Sequence, residues 1–285
     1  MNILYLHQYF KSPSSPGGTR AFDFVNYFSQ KKYNIDVITS CNDKFSGVRI
    51  LNHNDYLKVH KISIAYRHKF SFFQRIYSFI SFAFKATIYI RNFKPDIIYA
   101  SSTPLTIFIP AILLSKIKKI PLIIEIRDIW PEVPIQLGFL KNKFFIFLSK
   151  KIALVAYKQA SHILVFAPEM KKIIISNGVG ENKISVTPNG SDVEFFKKEV
   201  GKISSLRGRF HWLMDRKLIL YSGTLGECNR VDYLVDIAYY AMQHDKSIRF
   251  AVVGDGKNML AIKNKAKDLK VLNRNFFLLG EVSKD

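Results

Sequence analysis

The chain has 285 residues, of which 48% are hydrophobic and 14% aromatic, and this composition excludes an intrinsically disordered protein. Lysine and arginine number 43 against 22 acidic residues, so the net charge is +21. This charge favours polyanions, namely nucleic acid, anionic lipid headgroups or phosphorylated substrates, without choosing among them. The two distant cysteines, Cys41 and Cys228, indicate no disulfide scaffold and fit a reducing compartment.

The N-terminal segment predicts a strand, a glycine-rich loop and a helix. Ile3–Leu6 is an apolar run that predicts a strand. The N-terminal sequence MNILYLHQYF lacks the basic region and the long apolar core of a signal peptide. In the loop KSPSSPGGTR, Gly17 and Gly18 allow close backbone approach to a ligand, and Thr19 can cap a helix from Arg20 to Lys31. Amides at a helix start attract phosphates, although a Gly-Gly pair is also common in plain turns. The GxGxxG dinucleotide fingerprint is absent.

Strands and helices alternate through residue 192. The predicted strands after the first are Ile35–Thr39, Tyr56–Ile62, Ile97–Ala100, Leu122–Ile126, Ile163–Phe166 and Ile184–Thr187. The predicted helices after the first are Phe72–Phe93, Leu105–Lys116, Leu140–Ala160 and Glu169–Ser176. This alternation predicts a doubly wound parallel sheet. The sequence has no run of 18 apolar residues without a charge, so no membrane-spanning helix is predicted.

The loop after the strand Leu122–Ile126 concentrates chemistry-bearing side chains. Two acids, one base and an indole follow within six positions: Arg127, Asp128, Trp130 and Glu132. Pro131 and Pro134 are expected to stop any helix and to stiffen this loop. In open α/β sheets, ligands bind beyond the carboxyl ends of strands. The alternative is a surface ion pair of Arg127 with Asp128, while Trp130 fills a gap in the core.

Two predicted helices have more apolar or basic residues than packing on a core requires. Phe72–Phe93 has a surplus of phenylalanine that could meet a bilayer or an apolar partner. Leu140–Ala160 is amphipathic and lysine-rich, which fits either a core helix with a solvated lysine face or a helix resting on an anionic membrane.

A second domain is predicted after a polar, basic linker at residues 193–216. Residues 217–285 contain strands Leu218–Tyr221, Arg249–Val253 and Phe276–Leu279 with helices Val231–Met242 and Met259–Leu269. A parallel sheet of three strands leaves its edge and both faces partly uncovered, so this second domain is expected to be incomplete. The first domain is expected to comprise residues 1–192. The apolar side chains expected to lack neighbours are Leu220, Phe250, Val252 and Phe277.

Polar or glycine-rich loops follow five of these strands: Gly17–Arg20, Arg127–Glu132, Asn189–Asp192, Gly223–Arg230 and Gly254–Gly256. Parallel strands place their carboxyl ends on one edge, so the loops should converge within each domain. Two such domains facing each other would form a cleft for a polar, phosphorylated ligand.

Several segments, taken in order, resemble glycosyltransferase family 4 of the two-domain GT-B type. They are LYLHQYF, GGTR, EIRDIWPE, ISVTPNGSDVEFF, YSGTLG, VVGDG and NFFLLGEV. The resemblance is to the subgroup that serves bacterial O-antigen, capsule and exopolysaccharide synthesis. It implies an α/β fold of two Rossmann-like domains, the second incomplete here. It also implies sugar transfer, with retention, from a nucleotide-diphosphate donor to an acceptor that is often lipid-linked, with no metal and no separate cofactor.

The resemblance also assigns roles by position. Arg127 and Asp128 match the loop that holds the reacting sugar and the acceptor hydroxyl, and Glu132 would help to place the acceptor. The implied substrate-binding residues are Gly17, Gly18, Thr19, Arg20, Asn189, Gly223, Thr224, Gly226, Arg230, Gly254, Asp255 and Gly256. Many members carry a pair of basic residues in the loop after the first strand of the second domain, and this pair neutralises the leaving phosphate. Thr224 stands at the first of these positions, so Arg230 is the remaining candidate for a basic residue that contacts the phosphate.

One departure concerns the end of the chain. Family members continue past GEVSKD into a segment with two glutamates separated by seven other residues, which grips the donor sugar and ribose, whereas this chain ends at Asp285. The resemblance therefore implies impaired donor binding, with the segment lost or supplied by a separate polypeptide.

The implied partners are a nucleotide sugar, a polyprenyl-diphosphate-linked glycan and the anionic inner face of the bacterial cytoplasmic membrane, where the protein would be peripheral. No nucleic-acid-binding module matches, so nucleic acid is not an expected partner. The rival interpretations are a non-catalytic acceptor- or membrane-binding protein and a nucleotide-binding oxidoreductase. The missing dinucleotide fingerprint argues against the oxidoreductase.

Overall fold

The computed structural model of the chain describes residues 1–12, 19–66, 70–190, 193 and 207–282. Within these ranges the chain divides into two compact units, the first within residues 1–190 and the second after residue 190. Most of the predicted linker at residues 193–216 lies outside the described residues, as do Gly17 and Gly18.

Eight strands form one sheet in the first unit, in the order β3-β4-β2-β1-β5-β6-β7-β8. They are β1 (Asn2–Leu6), β2 (Asn34–Cys41), β3 (Val48–Asn54), β4 (Leu57–Ser63), β5 (Ile97–Ser101), β6 (Leu122–Ile126), β7 (His162–Val165) and β8 (Ile184–Val186). Strand β3 pairs antiparallel with β4, and the other pairings are parallel. The central strands therefore present their carboxyl ends at the same edge.

Helices cover both faces of this sheet. They are α1 (Arg20–Gln30), α2 (Phe72–Ile90), α3 (Phe108–Lys118), α4 (Glu132–Gln136), α5 (Lys143–Gln159) and α6 (Pro168–Ser176). The core under α2, α3 and α5 includes Leu4, Phe82 and Ile124, whereas the core under α1 includes Tyr5 and Val37. The chain moves in one direction from β1 to β2 and in the other from β4 to β8. Right-handed crossovers therefore place α1 opposite the remaining helices.

Strand β3 was not predicted. It lies at the edge of the sheet, and six of its seven residues are exposed, so its sequence VRILNHN shows no alternation of buried and exposed positions. Pairing with β4 extends from Val48 opposite Ile62 to Asn54 opposite Leu57. The hydrogen bonds of this pairing hold β3 in place, and they leave no trace in the hydrophobic pattern.

The second unit contains a parallel sheet in the order β11-β10-β9. The strands are β9 (Lys217–Ser222), β10 (Ile248–Val253) and β11 (Phe276–Gly280), joined by α7 (Asp232–His244) and α8 (Met259–Asp268). Both crossovers run in the same direction, and α7 and α8 pack against each other over one face of the sheet.

The expected exposure of the second unit's apolar residues was mostly wrong. Phe250 and Val252 are buried in the core formed with α7 and α8. Phe277 is buried as well, because the Trp212 ring stacks on it with a centroid distance of 3.9 Å. Leu220, on the edge strand β9, is 58% exposed as expected.

The alternation of strands and helices in both units confirms the predicted α/β class. In the described part of the chain, no helix is long and apolar enough to cross a membrane.

Candidate active site

Polar side chains of the first unit meet at the carboxyl ends of its central strands. His7 follows β1, Ser102 and Thr103 follow β5, and Arg127 and Asp128 follow β6. Three loops of this unit therefore converge at one edge, and one of them, Arg127–Glu132, is among the loops that were predicted to converge. Hydrogen bonds connect the side chains of this cluster.

Glu125, the fourth residue of β6, is a buried carboxylate at the centre of this cluster, with 3% of its side chain exposed. Its Oε1 accepts a hydrogen bond from Arg20 Nε at 3.0 Å, and its Oε2 accepts one from the Ser101 hydroxyl at 2.6 Å. A buried charge is tolerated when an opposite charge and hydrogen bonds compensate its lost hydration, and Glu125 has both. Neither Glu125 nor Ser101 was predicted as a site residue.

Arg20 connects the start of α1 to three strand ends. Besides its bond to Glu125, its Nη1 donates to the Pro188 carbonyl at 3.1 Å and its Nη2 donates to the Thr187 carbonyl at 3.3 Å. Its guanidinium carbon lies 4.4 Å from the centroid of the Phe166 ring. Arg20 was predicted to bind substrate, and three of its nitrogens are engaged with the protein itself.

Arg127 is held by its backbone and its side chain. Its N–H donates to the Ser102 hydroxyl at 3.0 Å, and its Nη1 lies 3.4 Å from His7 Nε2. His7 Nδ1 lies 3.3 Å from the Ser101 carbonyl oxygen. A carbonyl accepts and a guanidinium donates, so the neutral ring carries its proton on Nδ1 and accepts from Arg127 at Nε2.

Burial, reinforced by the nearby Arg127 charge, lowers the pKa of His7 from 6.5 to about 4. His7 is therefore neutral at physiological pH. A neutral ring leaves the whole positive charge on Arg127, where it can act on an anion. His7 was not predicted as a site residue, although it lies in the segment LYLHQYF.

Asp128 differs from Glu125 in being exposed to solvent. Its Oδ2 accepts a hydrogen bond from the Thr103 hydroxyl at 2.9 Å, which orients the carboxylate without burying it. An exposed, oriented carboxylate can accept a proton or stabilise positive charge. The described geometry is compatible with the role predicted for Asp128 but does not test it.

Glu132 begins α4, so the prediction that Pro131 and Pro134 exclude a helix was wrong. Pro131 is the N-cap residue and Pro134 occupies the first turn. First-turn amides have no partner within a helix, so a proline there costs no hydrogen bond. Burial and, secondarily, the Glu132 charge raise the pKa of Tyr157 on α5.

Two stacked tyrosines flank the buried carboxylate. Tyr5 and Tyr99 have ring centroids 4.8 Å apart. Burial, and then the negative charge of Glu125, raises the pKa of both hydroxyls. Both therefore keep their protons at physiological pH, so neither can act as a base.

The other residues of the predicted first domain that were expected to bind substrate are Gly17, Gly18, Thr19 and Asn189. Thr19 is the N-cap residue of α1, but its side chain makes no capping bond, and its hydroxyl donates to Asp23 Oδ2 at 3.0 Å. Thr19 therefore occupies the predicted N-cap position, without the side-chain bond that a threonine there can make. Asn189 is exposed, and Gly17 and Gly18 lie outside the described residues.

In the second unit, the predicted loops after β9 and β10 pack directly on each other. Gly223 N donates to the Val253 carbonyl at 2.9 Å, and Leu225 N donates to the Asp255 carbonyl at 3.0 Å. A Cβ on Gly254, where φ is +139°, would lie 1.9 Å from the Gly223 carbonyl oxygen, and one on Gly256 would lie 2.5 Å from that of Leu225. Backbone contact thus accounts for both glycines, whatever ligand the loops bind.

Residues beside these loops form an open depression of about 400 Å³, lined by Tyr221, Asn229, Arg230, Tyr233 and Leu234. Asn229 Nδ2 donates to the Thr224 carbonyl at 2.9 Å. Arg230 forms two hydrogen bonds to Asp232, of 3.0 and 3.1 Å, which raise the pKa of Arg230 and lower that of Asp232. The predicted phosphate ligand Arg230 is therefore paired with a carboxylate.

Across the described ranges, no three His, Cys, Asp or Glu side chains lie close enough to hold a metal ion. The predicted independence from metal remains a prediction.

A model of the family described as Glycosyltransferase Family 4 matches residues 17–195, which is more than half of the chain. The chain is also similar to WcaI of Escherichia coli (strain K12), a glycosyl transferase whose name assigns it to colanic acid biosynthesis. The identity is 25% over 199 residues, covering 66% of this chain and 47% of WcaI, so the match spans about half of that relative.

Two solved structures share the fold. Anabaena Alr3699/HepE, in complex with UDP and glucose, has a TM-score of 0.69 at 19% identity, covering 100% of this chain and 70% of its own. Sucrose-phosphate synthase from Thermosynechococcus elongatus has a TM-score of 0.76 at 11% identity, covering 99% of this chain and 71% of its own. These likenesses confirm the predicted two-unit Rossmann-like architecture.

Proposed function

This chain belongs to glycosyltransferase family 4, and we propose that it transfers a sugar from a nucleotide-diphosphate donor to a lipid-linked glycan in bacterial surface-polysaccharide synthesis. The observation that carries the proposal is the family match over residues 17–195, because this range contains Glu125, Arg127 and Asp128, charged residues of the cluster at the carboxyl ends of the central strands. The similarity to WcaI supports a polysaccharide product, and the UDP and glucose bound by HepE support a nucleotide-sugar donor.

Transfer requires the bond between the anomeric carbon and the donor diphosphate to break while a bond to the acceptor oxygen forms. The acceptor hydroxyl must lose its proton, and the leaving diphosphate gains negative charge. We assign Asp128 to the acceptor hydroxyl and the reacting sugar, because it is an exposed carboxylate oriented by Thr103. We assign Arg127 to anionic groups, because neutral His7 holds its guanidinium without neutralising it.

The other predicted ligands take supporting roles in the proposal. Glu132 helps to place the acceptor, and the loops Gly223–Arg230 and Gly254–Gly256 face the donor phosphates. Retention of configuration and independence from metal or a separate cofactor follow from the family resemblance. The protein would work at the inner face of the bacterial cytoplasmic membrane, where lipid-linked acceptors reside.

The experiment is a donor panel. Labelled nucleotide sugars are offered with polyprenyl-diphosphate-linked oligosaccharides to the chain and to a version extended after Asp285 with the glutamate-containing segment of a family member. The proposal predicts that at least one donor labels the lipid fraction. Stronger labelling by the extended version is expected if that segment grips the donor. If both folded forms bind the acceptor but transfer nothing from any donor, the protein is a binding module rather than a transferase.

A further inference from the structure

The outer surface of helix α2 is apolar although it faces solvent. The exposed side chains Phe73, Tyr77, Ile80, Phe84 and Ile88 follow one another at intervals of three or four residues, so they form a single stripe. Phe73 and Tyr77 are each 74% exposed, and Phe84 is 65% exposed. A second stripe, including Phe82 and Ile90, is buried against the sheet. Because a separate set of side chains fills the core contact, packing does not explain the outer stripe.

Helix α5 continues this surface. Helix α3 packs against both α2 and α5, so the three helices are neighbours on one face of the sheet. On α5, Phe144 and Phe147 are 66% and 63% exposed. We call the outward surface of α2, α3 and α5 the helical face.

The three helices of the helical face carry charged residues of one sign. Helices α2, α3 and α5 contain eight basic residues and no aspartate or glutamate. The basic residues are Arg75, Lys85, Lys116, Lys118, Lys143, Lys150, Lys151 and Lys158. By contrast, α1 on the opposite face contains Asp23, and the second unit's α8 contains Asp268. The absence of acids is therefore a property of these three helices, beyond the basic composition of the chain.

We propose that the helical face docks on an anionic phospholipid bilayer. Aromatic and aliphatic side chains would enter the headgroup region, and the lysines beside them would meet lipid phosphates. A nucleic acid would satisfy the charge but would leave the apolar stripe of α2 exposed. A bilayer with anionic headgroups satisfies both features. This inference rests on the membrane location given in the proposed function and deepens it by assigning the surface that binds. Vesicle binding needs neither a donor nor an acceptor, so it can fail while sugar transfer is observed, and the reverse.

The test is flotation of the full chain with vesicles of phosphatidylcholine alone or mixed with phosphatidylglycerol. Binding is expected to the mixed vesicles and to weaken at high salt. Phe73→Ser with Phe84→Ser should lower the affinity about tenfold or more. Lys150→Glu with Lys151→Glu should lower it at least about 25-fold, because each basic residue near such a surface contributes roughly a factor of five.

Matched controls lie on the second unit. Tyr240→Ser with Leu260→Ser removes two apolar side chains that are 62% and 68% exposed, and Lys263→Glu with Lys267→Glu reverses two exposed lysines. Both control pairs should leave binding unchanged, and circular dichroism checks that every variant is folded. Three results would overturn the proposal: no binding to anionic vesicles at low salt, equal losses in the controls, or helical-face variants that bind like the wild type. A dimer that the helical-face variants dissociate would instead assign this surface to a second copy of the chain.

Discussion

Arg20 Nε and Glu125 Oε1 lie 3.0 Å apart, although their residues are separated by 105 positions in the sequence. The ion pair joins the start of α1 to β6, the strand that carries Arg127 and Asp128 on its following loop. Because Arg20 also binds the carbonyls of Thr187 and Pro188, it connects three parts of the strand edge. Its main observed role is therefore to fix the geometry of the candidate site.

Glu125→Ala should lower the free energy of unfolding by about 3–5 kcal/mol, because it leaves the Arg20 charge and the Ser101 hydroxyl without their partner in the interior. Urea denaturation measures this loss. The matched control is Glu181→Ala. Glu181 forms an ion pair with Lys171, and the Glu181 side chain is 72% exposed. An exposed pair contributes about 1 kcal/mol or less. Equal effects of the two variants would contradict a structural role for Glu125.

The fold was largely predictable because its strands are apolar runs. Leu122–Ile126 was predicted with the bounds that the structure gives, since both faces of a central parallel strand are buried. Two errors have local causes. Six of the seven residues of β3 are exposed, so this strand lacks the apolar run of the others. Pro134 was treated as a helix breaker although it stands in a first turn, where proline is tolerated.

The candidate site was predicted in part. The loop of Arg127 and Asp128 was recognised because the loop itself concentrates charge next to a buried strand. Glu125 was missed because its carboxylate sits inside that strand and its cation lies 105 residues away. A charged residue within an apolar run, LIIEI, was the available signal. The bond between His7 and Arg127 depends on the parallel register of β1, β5 and β6, which no local pattern encodes.

His7 should make stability fall as the pH is lowered. Its pKa is about 4 in the folded chain and 6.5 in the unfolded chain, so the unfolded chain binds more protons between these values. The stability that His7 contributes is therefore fully present above pH 6.5 and is lost as the pH falls toward 4. Comparing wild type with His7→Gln by urea denaturation at pH 7 and pH 4.5 isolates this effect.

The stability advantage of the wild type over His7→Gln should shrink by about 2.5 kcal/mol between these two pH values. A pH-independent difference would mean that His7 titrates alike in both states. That result would contradict its burial beside the Arg127 charge.

Gly254→Ala should disrupt the second unit, because the new Cβ would lie 1.9 Å from the Gly223 carbonyl at a backbone φ of +139°. The expected loss is about 2–4 kcal/mol from the clash and the left-handed backbone. Gly208→Ala is the matched control, since its Cβ would meet nothing within 4 Å. The chain has two tryptophans, so Trp130→Phe leaves Trp212, stacked on Phe277, as the fluorescent reporter of this unit. If Gly254→Ala unfolds at the same urea concentration as Gly208→Ala, the two loops do not pack as described.

The most direct test of the central claim is the transfer of labelled sugar to polyprenyl-diphosphate-linked glycan by wild type, Asp128→Asn and Asp43→Asn, in whichever form of the chain supports transfer. Asp43 is an exposed aspartate of the same unit, paired with Arg49, and serves as the matched control. If Asp128 acts on the acceptor hydroxyl and the reacting sugar, Asp128→Asn lowers the rate about 100-fold or more with an unchanged melting temperature, and Asp43→Asn transfers like wild type. Wild-type rates from Asp128→Asn, or no transfer by any folded form, would contradict the account.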